Sequence, residues 1–122
     1  MYITIATGHL TSDATTRTVK VNGADTLVTD FTVASNEGFG DTQRTQFIRC
    51  SIWRDRGAKL QQYLTKGRSV TVRGAIGTQA WLDKEGKPRS QLTMSNPAVE
   101  LNGKRPDVID DEVPFEPDET VD

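Results

Sequence analysis

The sequence predicts an all-β domain, and three observations support that prediction. Short runs of alternating β-branched and polar residues recur through the first hundred residues, as expected for strands with one buried face. The pair Asn22-Gly23, a strong signal for a two-residue hairpin turn, separates two of these runs. Apolar residues at helical spacing occur in one segment, residues 56–64.

The predicted elements follow one another in a simple order. Strands are expected at residues 2–7, 15–21, 27–36 and 45–53, and Phe31 is expected in the core because it alternates with other apolar residues. The helix of residues 56–64 should have Asp55 as its N-cap and Gly67 as the glycine just past its C-terminus. A further strand is expected at residues 69–76. A hairpin then pairs residues 78–82 with 90–93 through the polar tip 83–88, and a final strand-like run at 98–101 ends the domain.

This order suits an OB-fold. That fold is a five-stranded Greek-key barrel with one short helix between strands three and four, here with a long hairpin between strands four and five. A β-sandwich is the alternative, but it leaves the helix unexplained. We expect residues 1–103 to form this domain. Residues 104–122 are rich in acids and prolines, and we expect a disordered tail because they cannot bury enough apolar surface to fold alone.

Charge is distributed unevenly along the chain. The formal net charge is −2, but residues 106–122 contain eight acids and no Lys or Arg, so residues 1–105 hold 15 basic and nine acidic residues. A basic body with an acidic tail points to a nucleic-acid partner. Residues 1–5 lack the features of a signal peptide, and no run approaches the ~18 apolar residues of a membrane span, so we expect a cytoplasmic protein without a membrane partner.

Catalysis has little support in the sequence. The chain contains one histidine, His9, and one cysteine, Cys50. Neither belongs to a nucleophile-base arrangement or a metal-ligand cluster, and no phosphate-binding loop is present. We therefore expect no enzymatic activity, no metal and no cofactor. Cys50 lies in a strand, where a buried and inert thiol is the expected state.

Nucleic-acid binding has better support, because aromatic residues occur beside cations. Exposed aromatic rings stack bases while Lys and Arg follow the phosphates, and such a surface tolerates any base sequence. Trp81 in its polar hairpin and Phe39 between two glycines are the aromatics least suited to a core. Arg49 and Arg73 interrupt apolar strands, so both should share the outward side of the sheet, where such a cluster would make an electrostatic groove. The candidate residues are Phe39, Phe47, Trp53, Trp81, Arg49, Arg73, Lys84, Lys87 and Arg89.

The tail contains a candidate docking motif for other proteins. An acidic run supplies long-range attraction and the following Val-Pro-Phe supplies a short apolar anchor, so a basic pocket with an apolar floor would bind it. A tail that merely increases solubility is the alternative. The motif consists of Asp110, Asp111, Glu112, Val113, Pro114 and Phe115.

The chain resembles the bacterial single-stranded DNA-binding protein family over residues 1 to about 102. The opening Gly8-His9-Leu10-Thr11-Ser12-Asp13 is similar to the family's Gly-x-Leu-x-x-Asp pattern. Further segments resemble family motifs in the same order. They are residues 28–36, 47–53, 63–67, 72–74 and 81–86.

The resemblance implies a function, an assembly and partners. The family's base-stacking aromatics correspond here to Phe39, Phe47, Trp53 and Trp81, and two of its basic positions correspond to Arg49 and Lys66. The family is a homotetramer of OB-folds with single-stranded DNA wrapped around it. Its tail tip, which resembles residues 110–115, docks DNA replication, repair and recombination proteins.

Three departures from the family pattern are visible. Ala14 replaces a usual proline, and residues 77–80, just before Trp81, lack the basic residues often found there. Residues 116–122 follow Phe115, whereas the family's tip normally ends the chain at its Phe. An OB-fold adaptor of the primosomal type, with weak DNA binding and mainly protein partners, is therefore the competing hypothesis, and a small nucleic-acid enzyme is a third.

Overall fold

The computed structural model describes residues 2–38 and 40–103 and confirms the all-β OB-type prediction. Within these residues no helix is long and apolar enough to cross a bilayer. One short helix, α1 (Asp55–Leu60), is followed by a 3-10 turn (Gln61–Tyr63). The strands are β1 (Thr4–Leu10), β2 (Thr15–Val21), β3 (Ala24–Glu37), β4 (Arg44–Trp53), β5 (Ser69–Gly74), β6 (Ile76–Leu82), β7 (Pro88–Ser95) and β8 (Ala98–Leu101).

The described residues form eight strands, three more than the five of the predicted barrel. Strands β5 and β6 are separated by Ala75 alone and form one bent strand, whose first half pairs with β1 and whose second half pairs with β7. Since β1, β3, β4 and β7 are neighbours in that order, the bent strand closes a five-stranded barrel. Strand β2 pairs with β3, and strand β8 pairs with β5, both antiparallel.

The barrel interior is filled by alternate residues of these strands. Phe31, Ile48, Ile52 and Val72 are each at most 4 % exposed, and the prediction for Phe31 is confirmed. Burying one such side chain fully is worth roughly 1.5–3 kcal/mol. The intervening residues of the same strands face outward, because successive side chains of a strand point to opposite faces. These outward residues form the outer wall of the barrel.

The helix is shorter than predicted, and both of its predicted caps are wrong. Asp55 is the first helical residue, and the N-cap is Arg54, which has φ 69° and ψ −155°. Gly67 has a positive φ of 84°, but it lies beyond the 3-10 turn, where its N–H donates to the carbonyl oxygen of Leu10. The chain leaves helical geometry early because Leu64 turns into the core, where it is fully buried.

The two predicted hairpins are present. Asn22 and Gly23 both have positive φ values, and the two-residue turn pairs Val21 with Ala24. The β6–β7 hairpin is closed by residues 83–87, where a carboxylate oxygen of Asp83 accepts the N–H of Glu85 and of Lys87, both at 2.9 Å. These bonds hold the tip of the hairpin in one turn conformation.

Candidate nucleic-acid interface

The outer face of β4 carries four side chains in a row. Because Ile48, Cys50 and Ile52 point into the core, the alternating residues Phe47, Arg49, Ser51 and Trp53 point outward. On the neighbouring strand β3 they lie opposite Ala34, Thr32, Asp30 and Val28, respectively. One strand therefore presents two aromatic rings and a guanidinium along the barrel wall.

The β6–β7 hairpin brings Trp81 to the same wall. Strand β7 runs parallel to β4, with Arg49 opposite Thr93 and Ser51 opposite Ser95. Strand β6 in turn pairs with β7 so that Trp81 lies opposite Arg89. The hairpin thus extends the wall beyond the edge of β4 and positions an indole at its far side.

Two open concavities meet at Trp81. The first, here called the Trp53 groove, measures about 510 Å³ and is lined by Arg17, Arg49, Trp53, Gln79, Trp81 and Gln91 among others. The second, the Phe47 groove, measures about 610 Å³ and is lined by Thr32, Phe47, Trp81, Arg89 and Gln91 among others. Trp81 and Gln91 line both, so the two grooves form one path across the outer wall.

The aromatic rings on this path are accessible to a ligand. Trp81 is 46 % exposed and Phe47 is 49 % exposed, although both are large apolar residues that a core would bury. Trp53 is half-buried and lines its groove. Aromatic faces left open beside cations match the arrangement that stacks unpaired bases.

A buried carboxylate organises the cations of the Trp53 groove. Asp30 is 7 % exposed and lies on the outer face of β3. Its Oδ2 accepts Nε of Arg17 at 2.6 Å and is 3.8 Å from Nη2 of Arg49, while its Oδ1 accepts the hydroxyl of Ser51 at 2.7 Å. Since Arg17 uses Nε for this bond, its terminal nitrogens are left for a ligand.

The end of β4 is held firmly where Trp53 enters the groove. The N–H of Trp53 donates to Oδ1 of Asn96 at 2.9 Å, and the N–H of Arg54 donates to the carbonyl oxygen of Leu27 at 2.7 Å. Asn96 itself has a positive φ of 52°, a conformation that asparagine tolerates. The indole is therefore attached to backbone fixed on both sides.

Four further predicted binding residues occupy the hairpin and the barrel ends. Arg89 lines the Phe47 groove, and its Nε donates to Oδ2 of Asp83 at 3.0 Å. Lys84 and Lys87 are exposed at the hairpin tip, outside both grooves. Lys66 is exposed in the loop before β5, where its backbone N–H donates to Asp13 at 2.8 Å.

The remaining predicted residues are not brought into the path. Arg73 is exposed, as expected, but it lies on β5 between Ile5 of β1 and Ala98 of β8 and lines neither groove. Phe39 and the tail motif 110–115 lie outside the described residues.

Among the residues of the Trp53 groove that sequence reasoning missed are Arg17, Gln79 and Gln91. Arg17 could have been found, because a two-residue turn at Asn22-Gly23 pairs residue 17 with Val28, next to Asp30 on the same strand. Gln79 and Gln91 were not singled out, because uncharged amides carry no signal in a search for cations and aromatic rings.

Comparison with known proteins shows the family of this chain. The model of the single-strand binding protein family matches residues 1–101. A "Single-stranded DNA-binding protein" of Treponema pallidum is 31 % identical over 103 residues, which cover 81 % of this chain and 56 % of that protein. One of Paenarthrobacter aurescens is 33 % identical over 94 residues, covering 71 % and 53 %, and one of Chlamydia trachomatis is 33 % identical over 70 residues, covering 56 % and 45 %.

The family match extends over the whole barrel. It begins with β1 and ends with β8, so the strands that carry Trp53, Trp81 and Arg49 all lie within it. The chain spans about half the length of the curated relatives it matches. On the strength of the match over residues 1–101, this chain belongs to the single-strand binding protein family.

Proposed function

We propose that this domain binds single-stranded DNA with little sequence preference and protects it. The observation that carries the proposal is the continuous outer path on which Trp53, Trp81 and Phe47 lie beside Arg17 and Arg49. The names of the relatives, each a "Single-stranded DNA-binding protein", support the same assignment.

The chemistry of the path suits an unpaired strand. Each base stacked on an aromatic ring contributes roughly 1–3 kcal/mol, and every base offers a flat face, so stacking requires no particular sequence. The guanidiniums of Arg17 and Arg49 contact phosphates and release counterions, which makes the affinity fall as salt rises. A duplex hides its base faces and would gain only the second of these contributions.

A pair of neighbouring residues tests the stacking. Trp81→Ala should raise the dissociation constant for an oligo-dT about fivefold to 150-fold, as expected for the loss of roughly 1–3 kcal/mol of stacking. Leu82→Ala is the matched control, because Leu82 is the next residue of β6, is 69 % exposed and lines neither groove. Equal affinities for the two variants would refute stacking on Trp81.

We further propose that the chain assembles as a homotetramer. Tyr2, Ile3 and Ile5 at the start of the chain are each at least 63 % exposed, and such apolar surface is commonly covered by a partner subunit. Mass measurement in solution, with and without oligo-dT, tests this assembly. A monomer at micromolar concentration would exclude it.

Recruitment of DNA replication, repair and recombination proteins by the tail is the last part of the proposal. It rests on the acidic run and the Val113-Pro114-Phe115 anchor in the sequence. A partner pull-down with and without residues 106–122 tests it, and equal capture of those partners without the tail would refute it.

One structural observation favours the adaptor alternative. The segment of β6 before Trp81 carries no cation, and Gln79 occupies the groove there. If the lack of a cation there weakens DNA binding, protein contacts would be the main role of the chain. Binding of oligo-dT only at millimolar concentration in low salt would favour the adaptor over the DNA-binding function.

A further inference from the structure

Two glutamine amides lie side by side in the Trp53 groove. Gln79 of β6 is directly opposite Gln91 of β7, one register step from the pair formed by Trp81 and Arg89. Because side chains on a strand alternate between faces, Gln79 shares its face with Trp81, and Gln91 shares its face with Arg89. Both amides line the groove together with both indoles.

Neither amide is used by the fold. Within residues 2–38 and 40–103, the side chains of Gln79 and Gln91 make no hydrogen bond to the protein. Gln61, by contrast, accepts the hydroxyl of Thr16 and donates to the carbonyl oxygen of Ala14. Gln91 is half-buried, so its unpaired amide lies in a partly enclosed part of the groove.

The chemistry of these groups differs from that of the neighbouring arginines. A glutamine amide has two donor hydrogens and one acceptor oxygen but no charge, so it adds little to the attraction of phosphates. A donor beside an acceptor matches the hydrogen-bonding edge of a base, and glutamine is among the residues that bind base edges in pairs of hydrogen bonds. Two adjacent amides beside exposed rings therefore have the chemistry to bind the edge of a base whose face lies on a ring.

We propose that Gln79 and Gln91 form a base-edge subsite that hydrogen-bonds the Watson–Crick edge of a base stacked in the Trp53 groove. This inference rests on the proposed DNA-binding function and adds a second requirement to it. Because every base offers both donors and acceptors on that edge and an amide can rotate to meet them, the subsite requires an open edge without selecting one base. Unpaired bases have that edge free, whereas paired bases do not.

The test separates the edge of the base from its face. N3-methylthymine keeps the ring but has a methyl group in place of the N3–H donor. Oligomers of thymidine and of N3-methylthymidine, equal in length, are bound to the full chain by fluorescence polarisation. The wild type should prefer thymidine about fivefold or more, the effect of one or two net hydrogen bonds.

The variant Gln79→Met with Gln91→Met should remove this preference while keeping side chains of similar length. Its discrimination between the two oligomers should fall below about twofold. The slope of log K against log salt should be unchanged because no charge is lost. Gln62→Met is the matched control, since Gln62 follows α1 and lines neither groove, and it should keep the wild-type preference.

The outcomes distinguish the two levels of the proposal. If the wild type binds thymidine and N3-methylthymidine oligomers equally tightly, or if the double methionine variant keeps the full preference, the base-edge subsite is refuted while DNA binding stands. If the wild type binds neither oligomer at low salt, the proposed function itself is refuted. Circular dichroism melts of each variant establish that the fold is retained.

Discussion

Arg54 occupies a backbone conformation that glycine alone adopts without strain. Its φ of 69° and ψ of −155° place the backbone in a conformational region essentially restricted to glycine, and a residue with a Cβ there carries about 1–3 kcal/mol of strain. The conformation is imposed from both sides, because the N–H of Arg54 bonds to Leu27 and α1 begins at the next residue. The strain lies directly after Trp53, at the point where β4 ends.

Replacing Arg54 with glycine should therefore stabilise the domain. Relief of about 1–3 kcal/mol is offset by roughly 0.5–1 kcal/mol, the extra chain entropy that glycine loses on folding, which leaves a net gain of about 1 kcal/mol. For a domain of this size that gain raises Tm by about 4–8 °C. The Arg54 side chain is exposed and makes no hydrogen bond or ion pair to the part of the chain that the structure describes, so little is lost with it.

Thermal unfolding followed by circular dichroism measures the effect. Arg54→Ala is the control, because it removes the same charge and the same long side chain but keeps Cβ and hence the strain. All proteins are compared at one concentration, since assembly makes Tm depend on concentration. An unchanged or lowered Tm for Arg54→Gly, or an equal rise for Arg54→Ala, would refute the strain at this position.

Three further predictions follow from other parts of the molecule. Burial raises the pKa of the Cys50 thiol to about 12, so alkylation at pH 8 should proceed only as fast as the protein unfolds, and rapid alkylation of the native state would contradict this burial. Hydrogen bonds from the N–H of Lys87 and, second, from the guanidinium of Arg89 lower the pKa of Asp83. The charged carboxylate therefore stabilises the hairpin tip above the ordinary carboxyl pKa, and this stabilisation is lost as pH falls through the lowered pKa of Asp83. Asp83→Asn should loosen the tip at neutral pH, seen as lower amide protection of Lys87, and unchanged protection would refute that role. We expect the eight acids of residues 106–122 to compete with DNA for the basic body. Deleting these residues should therefore raise the affinity for oligo-dT, most at low salt, and an unchanged affinity would refute that competition.

Much of the fold was predictable because local patterns carry it. Alternation placed Phe31 inside, and Asn22-Gly23 marked a two-residue hairpin turn that the structure contains. The caps of α1 were not predictable from local preference. Asp55 is a favourable N-cap type, but the bond from Arg54 to Leu27 of β3 accompanies a helix that starts one residue earlier than an Asp55 cap would allow, and that contact joins residues distant in sequence.

The sequence predicted the residue types of the candidate site better than the way the fold brings those residues together. Alternation correctly placed Arg49 and Arg73 on the outside, but it does not tell which side of a closed barrel each residue occupies. That information comes from the parallel pairing of β4 with β7 and from the bend at Ala75, both long-range features. The same pairings bring Gln79 to the groove. In the sequence alone, a glutamine in a polar hairpin gives no indication of this role.

The most direct test of stacking is the intrinsic fluorescence of the full chain during titration with oligo-dT at low salt. The chain has two tryptophans, Trp53 and Trp81, and both line the Trp53 groove, so the signal reports on that groove. Bases stacked on the indoles should quench the emission strongly and to saturation, and added salt should reverse the quenching. Emission that stays constant while oligo-dT is added to excess would contradict the stacking of bases on this wall.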